Sequence, residues 1–269
     1  MSASVAPLVV KIGGQGLADF DRLQPLLGNI AKTAQQRPMV LVHGGGHLVD
    51  AWLNRFDKPA QKSMGLRITP PQDMPIVAGA LAGALNTQLV AQLNQLKASA
   101  MRAVGTSLAD AHWCQLQQDT LRGAVGTPAL TNSSAAYLKY LIAGGYTPVI
   151  SSIGMFDDGS LANVNADLAA AAVAALLQAD LLLLTDVDAI LDRQGQIIGR
   201  LNLQQAQQLI ANGTVQGGMR VKLAAALEAA QVSRRSTAVA AWYSSADLTA
   251  HFTGQATATQ ICIEPTASL

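Results

Sequence analysis

The sequence predicts an α/β fold built around a mainly parallel sheet, and three observations carry that prediction. Apolar runs that suit buried strands alternate with amphipathic helical stretches, at about 30 residues per strand–helix unit. One run, Asp180-Leu-Leu-Leu-Leu-Thr-Asp186, is apolar without alternation, the pattern of a strand covered on both faces. Glycine turns stand where strands end and helices begin: Gly13-Gly14, Gly44-Gly45-Gly46, and Gly217-Gly218 just ahead of a helix.

Taken in order, residues 7–12 read as a buried strand and 17–36 as a helix with apolar positions Phe20, Leu23, Leu26, Leu27 and Ile30. Residues 39–42 form the next strand, bounded by Pro38, and 48–56 the next helix. This βαβα order implies right-handed crossovers. Residues 59–69 hold few helix formers and suit a hairpin or lid, stopped by Pro70-Pro71. A long helix is expected over 72–97, with Gly79 and Gly83 one turn apart. Residues 100–125 break into small strands and hairpins, and 133–143 form a helix ended by Gly144-Gly145. A strand follows at 146–152, then Asp157-Asp158-Gly159 as a hairpin turn within 155–161. An Ala-rich helix runs from Leu168 to about Gln178, and a strand covers 179–186. A turn at 192–195, helices at 203–211 and 219–230, and strands at 237–242 and 260–264 complete the chain.

Composition narrows the function. Half of the 269 residues are hydrophobic, enough for a sizeable core, and the net charge is +1. No run of Lys or Arg offers a footprint for nucleic acid or an anionic membrane. Cys114 and Cys262 are far apart and outside any metal spacing, which suits a reduced, cytoplasmic protein. The first apolar run is interrupted by Lys11 and has no basic stretch before it, unlike a signal peptide. The longest apolar stretch, residues 168–184, is broken by Gln178 and Asp180 and falls short of a membrane span of about 18 residues.

Several residues ask for a chemical reason. Glycine turns at helix starts let backbone N–H groups approach an anion, with the positive end of the helix dipole behind them. Lys11 lies inside an apolar strand, where an unpartnered ammonium is costly; it needs a carboxylate or a bound anion. Lys222 sits in the first turns of a helix, where the dipole disfavours a cation, so a bound anion would offset it; a solvated surface lysine is the plain alternative. Asn163, Asn165 and Asp167 alternate at a strand-to-helix junction, and capping accounts for one of them. Asp186 ends a strand, where such sheets place ligand groups, although Asp186-Val-Asp188 also suits a turn. Arg67, in the expected lid, can clamp a carboxylate with two hydrogen bonds or simply lie on the surface. His43, His47 and His112 have no metal spacing, so no protein metal ligand is expected. The hydrolase, P-loop and dinucleotide fingerprints are absent.

Six motifs in order are similar to the amino acid kinase family: Val10-Lys11-Ile12-Gly13-Gly14, Val42-His43-Gly44-Gly45-Gly46, Gly65-Leu66-Arg67-x-Thr69, Asn163-Val164-Asn165-Ala166-Asp167, Leu184-Thr185-Asp186-Val187 and Gly217-Gly218-Met219-x-x-Lys222. The likeness spans about residues 7 to 263. It implies a three-layer αβα sandwich with a mainly parallel central sheet and two continuous lobes. Residues 1–175 would bind the amino-acid substrate and dimerise, and residues 176–269 would bind nucleotide. It also implies phosphoryl transfer from ATP, with Mg²⁺ held mainly through the phosphates. The third and fourth motifs point to the side-chain carboxylate of N-acetyl-L-glutamate as acceptor, a reaction of arginine synthesis.

By the same resemblance, Lys11 and Lys222 would flank the transferred group and Asp167 would orient them. Gly45, Gly46, Arg67 and Asn163 would hold the acceptor. Gly13, Gly14, Asp186, Val187, Asp188, Ala189, Ile190, Leu191, Thr214, Val215 and Gln216 would border the nucleotide. Gln15-Gly16, Ala189 and Gln216 depart from the usual family pattern without removing a charged group. Two alternatives stand beside this reading: a non-catalytic arginine-binding sensor, in which the paired lysines would be lost, and a kinase for another carboxylate such as aminoadipate. Arginine-sensitive members carry an added N-terminal helix. Only Met1–Ala6 precede the first strand here, so the expectation is a homodimer insensitive to arginine.

Overall fold

The computed structural model describes residues 5–63, 66–96, 101–186, 189–243, 248–252 and 258–262. Val187, Asp188 and Gly65, singled out above, lie outside these described residues. The chain opens as β1 (Leu8–Ile12), α1 (Phe20–Ala34), β2 (Met39–His43) and α2 (Gly46–Arg55). The first helix starts later than its periodicity predicts. Asp19 caps it by accepting from the backbone N–H groups of Asp21 and Arg22, and residues Gly14–Ala18 are wound as a separate 3₁₀ turn. Its buried face is Leu23, Leu26, Leu27 and Ile30, the spacing of one helical stripe.

The expected lid is a hairpin, β3 (Gln61–Ser63) and β4 (Leu66–Ile68). The long helix is a rod, Pro71–Gln95, made of a 3₁₀ entry, α3 (Met74–Ala78), a π-helical turn over Gly79–Leu85 and α4 (Asn86–Gln95). By length and composition this rod matches a membrane span, which the reading of residues 168–184 did not anticipate. Its apolar side chains pack inward instead: Met74, Val77, Leu81, Leu85, Leu89 and Leu93 all lie in one core cluster.

Beyond the rod come β5 (Ala103–Ser107), β6 (Leu116–Gln118), β7 (Val125–Pro128), α5 (Ala136–Ala143), β8 (Thr147–Ser151), β9 (Ile153–Met155) and β10 (Leu161–Val164). Then follow α6 (Ala166–Leu177), β11 (Asp180–Thr185), β12 (Arg200–Asn202), α7 (Leu203–Ala211), α8 (Gly217–Ser233), β13 (Thr237–Ala241) and β14 (Ala258–Cys262). Strand β12 was not predicted; three residues are too short to show a period. Gly217 and Gly218 do not precede the last long helix as expected but form its first residues, because Gln216 holds the extended N-cap conformation.

The eight-stranded sheet runs in the order β12-β14-β13-β11-β1-β2-β8-β5. From β13 to β5 every neighbouring pair is parallel; β14 is antiparallel to β13. Alternation along β1 sorts the two layers. Val9 joins the core beneath α6 and α8, whereas Leu8, Val10 and Ile12 face α1, α2 and the rod. The sequence around β1 goes to β2 on one side and later to β11 on the other. That makes the carboxyl end of β1 the topological switch point, where open α/β sheets bind ligands. At the opposite end, Asp180 is held by Arg37 at 2.7 Å and Arg235 at 3.1 Å, closing the bottom of the sheet.

Candidate functional site

Lys11 is the fourth residue of β1, on the Val9 face, and only 5% exposed. Asp167 lies in the first turn of α6 on that same face. Asn165 caps this helix by accepting from Asp167 N at 2.9 Å and Leu168 N at 3.1 Å, which fixes where the turn begins. Of the three alternating Asn/Asp residues, then, Asn165 is the cap and Asp167 is free for chemistry. Asp167 receives Lys222 Nζ on Oδ2 at 2.8 Å, and Lys11 Nζ stands 3.0 Å from Oδ1. The Lys11 contact is a buried ion pair. The Lys11 ammonium folds back over Gly13.

Electrostatics follow from this geometry. Burial works to raise the Asp167 carboxyl, but the two ammoniums outweigh it and hold the group below its ordinary value. Burial, with Lys222 assisting, pulls Lys11 below the ordinary lysine value against the attraction of Asp167. Two cations against one anion leave the cluster with an excess positive charge, suited to a dianionic or polyanionic ligand.

The cluster lines a cavity of about 270 Å³ whose wall is completed by Gly13, the Gly44–Gly46 loop, Arg67 and Asn163. Arg67, on β4, is not a surface arginine. It pairs with Asp50 of α2 and donates to Gly46 O at 3.2 Å. Its Nη1 is buried with no hydrogen-bond partner among the described residues, an orphan donor on a rigidly held fork. Asn163 donates to Thr69 Oγ1 at 3.0 Å and so pins the base of the β3–β4 hairpin to the site. Thr69 in turn bridges to Gly123, accepting Ala124 N at 2.8 Å on its carbonyl.

Of the described residues expected at the nucleotide, Gly13 lines this cavity, whereas Gly14, Asp186, residues 189–191 and residues 214–216 do not. Asp186 caps the end of β11 and accepts from Trp242 Nε1 at 2.9 Å. Ala189, Ile190 and Val215 are buried, whereas Leu191 and Gln216 are exposed. Arg193 Nε donates to Thr214 Oγ1 at 3.2 Å, which draws the two segments together. Gly14 contributes backbone to the 3₁₀ turn after β1. Sequence reasoning missed Asp50, Asn86 and Trp242 as side-chain partners of Arg67, His43 and Asp186. Only Asp50 carried a signal, an acidic residue on the helix that follows the glycine loop.

The amino acid kinase family model matches residues 6–241. An acetylglutamate kinase of Vibrio vulnificus (strain CMCP6) is 44% identical over 260 residues, covering 96% of this chain and 97% of the relative. An acetylglutamate kinase of Colwellia psychrerythraea is 44% identical over 257 residues, covering 95% of this chain and 96% of that one. Among solved structures, N-acetylglutamate synthase from Neisseria gonorrhoeae, complexed with coenzyme A and N-acetyl-glutamate, superposes with a TM-score of 0.82 at 23% identity. That match covers 97% of this chain and 60% of the synthase, and it shows the shared fold.

Proposed function

The chain belongs to the amino acid kinase family, and from that membership we propose that it transfers the γ-phosphoryl group of ATP to the side-chain carboxylate of N-acetyl-L-glutamate. The products are N-acetyl-L-glutamyl 5-phosphate and ADP, in a step of arginine biosynthesis. The observation that carries this reading is Asp167 gripping both Lys11 and Lys222 on one side of a cavity that Arg67, whose Nη1 has no hydrogen-bond partner among the described residues, also lines. Two ammoniums suit the charge on a phosphoryl group in flight, and a free arginine donor suits a carboxylate at the far end of the acceptor.

A carboxylate oxygen attacks the γ-phosphorus, an O–P bond forms, and the bond to the β-phosphate oxygen breaks with its electron pair leaving on ADP. The nucleophile is already ionised at neutral pH, so no protein base is required. Alignment and charge stabilisation are what the chain must supply. Lys11 and Lys222 reach the equatorial oxygens from the Asp167 hub, and the N–H groups of Gly45 and Gly46 face the acceptor. Mg²⁺ would be held mainly through the phosphates and would supply charge neutralisation there.

We read residues 1–175 as the acceptor-binding lobe and 176–269 as the nucleotide lobe. ATP then enters over Gly13 and Gly14, with Asp186 and the segments 189–191 and 214–216 at its border. The intact lysine pair favours a kinase over a non-catalytic arginine sensor. The small number of cysteines, Cys114 and Cys262, far apart in the sequence, supports a reducing compartment, the cytoplasm. Dimerisation through the open face of the rod is supported by the exposure of Gly83 and Ala84 and by the packing of α4 on β5, the terminal strand of the sheet. An ADP-release assay with N-acetyl-L-glutamate, glutamate, aspartate, aminoadipate and carbamate tests the reaction. Selective turnover of N-acetyl-L-glutamate is expected. Preference for any other acceptor, or no ADP release, rejects the reading.

A further inference from the structure

His43 ends β2 immediately before the glycine loop and is fully buried. Its Nδ1 lies 2.8 Å from Gly44 O, and its Nε2 lies 3.0 Å from Asn86 Nδ2. Asn86 Nδ2 also donates to Val149 O at 2.9 Å, so both amide hydrogens have acceptors. A carbonyl can only accept, so Nδ1 carries the hydrogen toward Gly44; the amide of Asn86 can then donate to the Nε2 lone pair. The chain of donors fixes one neutral tautomer. Burial agrees, pushing the imidazole down to about 4 against the pull of the Gly44 carbonyl.

Asn86 is placed there by the π-helical turn Gly79–Leu85, which ends at the preceding residue. That turn also seats the loop directly. Gly45 has φ +147°, and the side chains of Leu81 and Leu85 occupy the space a Cβ at this residue would need, at 2.8 Å for Leu81 Cδ2. The wide turn therefore brings Leu81 and Leu85 to the glycine loop and sets Asn86 against the histidine before it, the kind of local irregularity that recurs at functional sites.

We propose that His43 and Asn86 are positioning residues that hold the carbonyl of Gly44 and thereby aim the N–H groups of Gly45 and Gly46 at the phosphoryl acceptor. Neither touches the reacting atoms. The role rests on the kinase reading above, and it makes the rod part of the acceptor site through its buried face.

The test uses the full chain and three variants. His43→Asn keeps a donor near the Nδ1 position, His43→Gln keeps an acceptor near the Nε2 position and loses the Gly44 contact, and Asn86→Leu removes the second donor. Imidazole ¹⁵N spectra of the wild type should show the neutral Nδ1–H tautomer. Hydrogen exchange at the amides around Gly44–Gly46 should speed up in Asn86→Leu and His43→Gln and stay near wild type in His43→Asn. In the kinase assay, His43→Gln should lose about 10-fold or more in kcat/KM for N-acetyl-L-glutamate with the KM for ATP unchanged, and His43→Asn should recover most of it. An Nε2–H tautomer, or His43→Asn and His43→Gln that behave alike in exchange and kinetics, overturns the proposal. If Asn86→Leu does not fold, the tautomer and the two His43 variants still decide. If the wild type does not act on N-acetyl-L-glutamate, the functional reading fails, while tautomer and exchange judge the positioning pair separately.

Discussion

In the proposed reaction Lys222 would carry much of the function with little of the stability. It is on the second turn of α8, partly open to the cavity, and donates to Asp167 at 2.8 Å. Lys222→Ala should therefore fold and lose about 10²-fold in kcat, the scale of one removed oxyanion donor. The change in KM should be smaller, because the charge it meets is greatest in the transition state. Arg67 behaves differently. Arg67→Lys keeps the charge but loses the fork held between Asp50 and Gly46, so the KM for N-acetyl-L-glutamate should rise while ATP binding, measured by calorimetry, stays level. His43 sets a pH window. In the unfolded chain it takes up a proton below 6.5, and in the folded chain only below about 4. Protons thus favour unfolding between those values, and stability should fall by about 3 kcal/mol as pH drops through the window. Urea titrations at stepped pH would show it, and His43→Asn should flatten that part of the curve.

The elements meet the site at their ends. β1 and β2 deliver Lys11 and the glycine loop, α6 and α8 deliver Asp167 and Lys222, and the β3–β4 hairpin delivers Arg67. The glycine loop is the most tightly specified of these connections. Gly45→Ala would force a side chain into positive φ and against Leu81 and Leu85 together. It should lower the melting temperature by a few degrees, for a cost of about 1–3 kcal/mol. Activity per folded molecule should fall by about 10²-fold, because a displacement near 1 Å at the acceptor is enough. Differential scanning calorimetry beside the ADP-release assay separates the two effects. A variant with lowered stability and normal kcat/KM would show that the loop does not aim the acceptor.

At the scale of the molecule, one sheet unites both halves of the site, because β11 and β2 flank β1 directly. The parallel order from β13 to β5 puts the carboxyl ends of those six strands on one side, and the two helical layers converge there. The open face of the rod and the terminal strand β5 lie at the other edge of the sheet. We expect a homodimer through that edge. Light scattering over a range of protein concentrations should return twice the chain mass, and Gly83→Arg should shift it toward monomer. A larger assembly, or no response to Gly83→Arg, would place the contact elsewhere.

Local chemistry was legible wherever a residue's cost is local. Lys11 in an apolar strand, glycines at strand ends, and the apolar run of β11 announce themselves without any partner in view, since burial, backbone conformation and periodicity are properties of short stretches. The strand and helix order followed from them, apart from β12 and the shifted starts of α1 and α8. Residue partnerships were not legible. Asp50 finding Arg67, Asn86 finding His43, Thr69 finding Asn163 and Trp242 finding Asp186 join positions 17 to 94 residues apart. Such contacts depend on which strands pair, and on a π-helical turn that no period marks. A side chain's hydrogen-bond capacity is written in its residue type, but the partner that satisfies it exists only once the sheet has closed around the carboxyl end of β1.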